Sequence, residues 1–68
     1  MTVAQKNAEI AYPILVRKYI AKRYSVEDEL AILNNYATDP QKYATEYMAY
    51  QTFRAECKAR AKEELGIE

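Results

Sequence analysis

An all-α fold follows from three observations on this 68-residue sequence. Glycine occurs once and proline twice, so there are few points at which a helix must stop. Apolar residues recur at spacings of three and four rather than two, which lines them up on one side of a helix. Capping residues stand where the pattern breaks, at Ser25, Asp39-Pro40 and Gly66. The expected architecture is a small three-helix domain or a helical hairpin, with a long C-terminal helix and a dimeric state.

Taken in order, residues 1–12 form either an arm or the first part of a helix kinked at Pro13. Thr2 and Gln5 have the spacing of a capping box, but proline inside a helix costs about 3 kcal/mol unless it lies in the first turn. From Pro13, a helix over 13–24 places Leu15, Val16, Tyr19 and Ile20 on one apolar face. Ser25-Val26-Glu27-Asp28 then has the form of a helix start, with the Ser25 hydroxyl and the Asp28 carboxylate each serving the other's backbone N–H. Glu27, Asp28 and Glu29 also suit the positive end of that helix. The segment 26–37 carries Val26, Leu30, Leu33 and Ala37 as its apolar stripe.

Asp39 as N-cap and Pro40 as first helical residue open a third helix over 40–65. No breaker follows until Gly66, placed to adopt the left-handed conformation after the last turn. That helix has about 26 residues and a length on the order of 39 Å, roughly twice that of the second. Its buried stripe reads Tyr43, Tyr47, Tyr50, Cys57, Ala61 and Leu65, with Glu56 and Arg60 as an exposed i, i+4 pair. The first two helices must share the length of the third, or part of it protrudes with apolar groups showing.

Protrusion of the distal half is the basis for an interface at Tyr47, Tyr50, Phe53, Arg54, Cys57, Ala61 and Leu65. Arg54 lies inside the stripe, where it could cap the rim or pair with Glu27, Asp28 or Glu29. Seven tyrosines exceed what so small a core can seal, since each hydroxyl wants a partner or water. Tyr12, Tyr24 and Tyr36, near helix ends, are the ones expected at a rim. A chain this short is marginally stable alone, and self-association is one remedy.

Catalysis finds little support. There is no histidine, the usual acid–base group near neutral pH. The single glycine excludes a glycine-rich phosphate loop. One cysteine, Cys57, cannot form a disulfide within the chain and leaves no thiol–imidazole zinc site. Its phase makes it an apolar filler rather than a nucleophile. No cofactor or metal is expected. No segment is apolar enough for a signal peptide or a membrane span, so a cytoplasmic setting without membrane contact is expected.

Formal charge sums to zero, yet basic residues gather before Tyr24. Arg17, Lys18, Lys22 and Arg23 surround Tyr19, a pattern compatible with phosphate contacts. Cations in the last turns of a helix also offset its negative end, and the acidic turn that follows weakens any long-range attraction.

Two segments, 24–33 (Tyr24-Ser25-Val26-Glu27-Asp28-Glu29-Leu30-Ala31-Ile32-Leu33) and 53–62 (Phe53-Arg54-Ala55-Glu56-Cys57-Lys58-Ala59-Arg60-Ala61-Lys62), resemble short helical proteins encoded in prophages of gut bacteria. The resemblance implies a phage-derived or accessory protein, and it transfers no functional residue. Together these readings point to a non-enzymatic protein–protein interaction or assembly module, a homodimer through its C-terminal helix or the partner of another protein. The alternative is a small nucleic-acid-binding regulator that uses the basic first helix.

Overall fold

The computed structural model describes residues 3–67. Among them are three helices and no strand: α1 Val3–Ala21, α2 Val26–Thr38 and α3 Ala44–Leu65. The capping box at Thr2 and Gln5 lies outside the described residues.

Helix α1 runs unbroken through Pro13, so residues before the proline are neither an arm nor a separate element. Pro13 removes one backbone donor and crowds the carbonyl four residues back. Both Pro13 and Glu9 are exposed, so water can serve the freed carbonyl and the helix tolerates the break in its ladder. The helix winds down at Arg23 and Tyr24, whose N–H groups both donate to the Ile20 carbonyl, at 3.0 and 2.9 Å.

Helix α2 opens on a complete capping box. Asp28 N–H donates to Ser25 Oγ and Ser25 N–H to Asp28 Oδ2, each at 3.0 Å. Asp39 closes the same helix by donating its N–H to the Asn35 carbonyl at 3.0 Å. Its Oδ1 also accepts from Lys42 N–H at 3.2 Å, while Tyr43 N–H reaches the Asp39 carbonyl at 3.1 Å. Asp39 thus caps a single turn over 40–43, and the regular part of α3 begins at Ala44 rather than Pro40. At the far end Gly66 has φ 67°. Its N–H and that of Ile67 donate to Glu63 and Lys62 carbonyls, the paired bonds of a Schellman close.

Both α1 and α2 pack on α3 and scarcely on each other. Tyr24 of the α1 end lies against Tyr50 and Phe53, whereas Tyr19 reaches Glu64; α1 therefore runs antiparallel to the distal half of α3. Val16, Tyr19, Ile20, Cys57 and Ala61 form the core there, with Tyr12, Leu15, Tyr24 and Phe53 around it. The proximal half of α3 receives α2 through Glu29 on Tyr50 and Tyr36 stacked on Tyr47. The first two helices do divide the length of the third.

That division makes the molecule long, with extents of 46 × 20 × 19 Å and a radius of gyration of 14.5 Å. A compact chain of this length would have a radius near 11 Å. Accessible surface is 5158 Å², against about 4,400 Å² for a typical folded monomer of the same mass.

A proline within a continuous helix has a measurable consequence. Pro13→Ala should restore one backbone bond and stabilise the protein by about 1–3 kcal/mol in urea denaturation. No gain, or a loss, would mean that the helix does not continue across residue 13.

Candidate functional site

Where the three helices meet, one carboxylate holds them. Glu29 is 7% exposed, a burial that is costly for a charge unless it is paired. Tyr50 of α3 donates its hydroxyl to Glu29 Oε1 at 2.6 Å, and Arg17 of α1 pairs with Oε2. Burial by itself pushes the Glu29 carboxyl up, but hydrogen bonds from Arg17 and Tyr50, with the charges of Arg17 and Arg54, outweigh it and hold the group below its ordinary value. Burial also raises the Tyr50 phenol, reinforced by its bond to Glu29.

Arg54 does not form the cross-helix pair expected of it. It donates to Gln51 on its own helix at 3.3 Å and lies over the Tyr50 ring, 5.6 Å from the centroid. Its buried Nε has no hydrogen-bond partner among the described residues. Arg17 takes the place on Glu29 because α1 ends beside the start of α2. Such a role removes Arg17 from the set of free cations proposed for nucleic acid.

A second polar latch joins α1 to the end of α3. Tyr19 donates its hydroxyl to Glu64, and Arg60 donates to the same carboxylate at 3.4 Å while lying 4.5 Å from the Tyr19 ring centroid. The bond to Tyr19 lowers Glu64 and raises Tyr19. Arg60 consequently turns to Glu64, not to Glu56 as the sequence suggested.

The expected interface residues fare unequally. Tyr50, Cys57 and Ala61 are 2%, 5% and 0% exposed, covered by the chain's own α1 and α2. The distal half of α3 does not protrude, so these residues are core and unavailable to a partner. Tyr47, Phe53, Arg54 and Leu65 are half-buried. Tyr47 is stacked on Tyr36 with ring centroids 3.8 Å apart. Tyr12, Tyr24 and Tyr36 are half-buried as well, as befits rim positions.

Exposed apolar surface lies elsewhere. Val26, Leu30 and Leu33, the stripe that should have marked the inner face of α2, are 58%, 55% and 41% exposed. Helix α2 instead turns Glu29, Ile32 and Tyr36 inward, residues spaced i, i+3, i+7. On α1, Val3, Ile10 and Ile14 are exposed too. They share a stripe with Arg17 at helical phase. Only a second periodic set on α2, with an acid in it, could have disclosed this from sequence.

Of the remaining cations, Lys18, Lys22 and Arg23 are exposed. Lys22 lies over Tyr19 and Arg23 over Phe53, at 5.4 and 5.1 Å from the ring centroids. They border a groove of about 340 Å³ between α1 and α3. Burial raises the Cys57 thiol beneath it, helped by the charge of Glu56, so that thiol stays protonated and inert. Among the described residues no group of acids and cysteine could hold a metal ion, and no helix is long and apolar enough to cross a membrane. No family model, curated protein or solved structure matches the chain.

The depressed Glu29 carboxyl ties stability to pH. Its stabilisation is complete above the ordinary carboxylate value near 4.3 and is lost as pH falls through the lower folded-state value. Glu29→Gln, which keeps the shape and removes the charge, should cost about 1–2 kcal/mol near neutrality. Denaturant titrations at falling pH should show wild type and variant converging in acid. A gap that stays constant with pH would remove Glu29 from this role.

Proposed function

We propose that this chain is a non-enzymatic helical interaction module that pairs with a second copy of itself, through the exposed stripes of α1 and α2 rather than the distal face of α3. The observation that carries it is the pair of outward stripes, Val26–Leu30–Leu33 on α2 and Val3–Ile10–Ile14 on α1. Surface beyond that of a typical monomer amounts to about 750 Å², close to the roughly 800 Å² that each partner contributes to a standard interface.

Charge favours a copy of the same chain. Outside the Arg17–Glu29 pair, helix α1 holds two bases, Lys6 and Lys18, and one acid, Glu9. Helix α2 offers two exposed acids, Glu27 and Asp28, and no base. A two-fold pairing of α1 on the partner's α2 brings opposite charges together twice and covers both stripes. Nucleic-acid binding is the second reading, supported by exposed Lys18, Lys22 and Arg23. The engagement of Arg17 by Glu29 and the zero net charge weigh against it.

Because Leu30 and Leu33 are exposed in the monomer, replacing both with Glu should leave its own stability within about 0.5 kcal/mol per site. Light scattering should give the wild type a mass of twice 7.9 kDa and the variant the monomer mass, with unchanged helical circular dichroism. A wild type that stays monomeric across a wide concentration range would overturn self-association. Retention on DNA that falls steeply with salt would favour the second reading.

A further inference from the structure

The groove between α1 and α3 shares no residue with the outward stripes and has a chemistry of its own. Its volume of about 340 Å³ is at the lower end of the range of small-ligand sites. Tyr19, Phe53 and Cys57 supply apolar surface, and Lys22, Arg23, Arg60 and Glu56 the charge. Arg60 is already paired with Glu64. Lys22 and Arg23 form no ion pair among the described residues; each rests on an aromatic ring, Lys22 on Tyr19 and Arg23 on Phe53 and Tyr24.

A cation lying on a ring is desolvated on one side, which strengthens its attraction for an anion on the other. Two unpaired cations against one acid, Glu56, leave the groove with a single net positive charge. That balance suits a monoanion better than a doubly charged phosphate ester. Arginine adds the planar fork that matches a carboxylate, and the half-buried Phe53 ring offers apolar surface to a flat body.

We propose that this groove binds a small organic carboxylate with an aromatic or short acyl body, its charge held by Lys22 and Arg23 and its body laid on Phe53. The full chain binds such a ligand weakly, with a dissociation constant in the millimolar range for a body of about ten heavy atoms. Neither cation makes a hydrogen bond or ion pair in either polar latch, so both latches keep their partners when the cations are replaced.

The test is a nuclear magnetic resonance titration of the nitrogen-labelled full chain with phenylacetate and with its neutral isostere, phenylacetamide. Phenylacetate should cause saturable shifts centred on the amides of Tyr19, Lys22, Phe53 and Cys57, and the amide should bind about tenfold more weakly. The double variant Lys22→Gln, Arg23→Gln should lower phenylacetate affinity to that of phenylacetamide. Lys18→Gln, an exposed cation outside the groove, should leave affinity unchanged. Absence of saturable shifts, shifts centred on Val26 to Leu33, equal binding of acid and amide, or equal weakening by Lys18→Gln would each overturn the proposal.

Discussion

A buried carboxylate governs the arrangement of this molecule. Glu29 sits where α1, α2 and α3 meet, and it receives Arg17 from the first helix and Tyr50 from the third. Even a fully buried ion pair adds little net stability over apolar packing, because desolvation offsets most of the attraction, and here the Arg17 side chain is 48% exposed. Breaking it by removing one partner is another matter, since the other is left unsatisfied. Glu29 therefore acts more as a register pin than as a source of stability. Only one rotation of α2 about its axis lets the carboxylate reach both partners.

That rotation has a direct cost in apolar exposure. With Glu29 and Ile32 inward, the branched residues Val26, Leu30 and Leu33 face out. Each Å² of apolar surface left in water forgoes about 25 cal/mol. Retention of the charged contact and the outward stripe together is what a self-associating module would need, with the polar junction setting the geometry of the apolar face.

Tyrosine does the work that larger aliphatic cores do elsewhere. Tyr19 and Tyr50 are buried and each gives its hydroxyl to a glutamate, so the polar tip is satisfied without water. Tyr24 bridges the two halves of the molecule, edge-on to both Tyr50 and Phe53. Cations then lie over several of these rings along one side of the α1–α3 seam. The same residue type thus closes the core, orders the acids and leaves a cationic, aromatic groove at the surface.

Local chemistry was sufficient to determine that there are three helices, both ends of α2 to within a residue, and the end of α3. The Ser25–Asp28 capping box and the Gly66 close involve residues within a few positions of each other, so the sequence alone specified them. Length alone left open whether the first two helices share α3 or part of it protrudes, and the expected interface rested on protrusion; the structure shows the sharing. What the sequence left open was which side of each helix turns inward. Apolar periodicity pointed to Val26, Leu30 and Leu33 on α2 and to a partner for Cys57 and Ala61 on α3. Only the tertiary structure decided otherwise, because Arg17, Glu29 and Tyr50 lie 12 and 21 residues apart in pairs and no periodicity within one helix records their meeting. Continuity of α1 through Pro13 was settled likewise at the level of the whole fold, where packing of the helix beyond the proline outweighs the loss of one backbone bond.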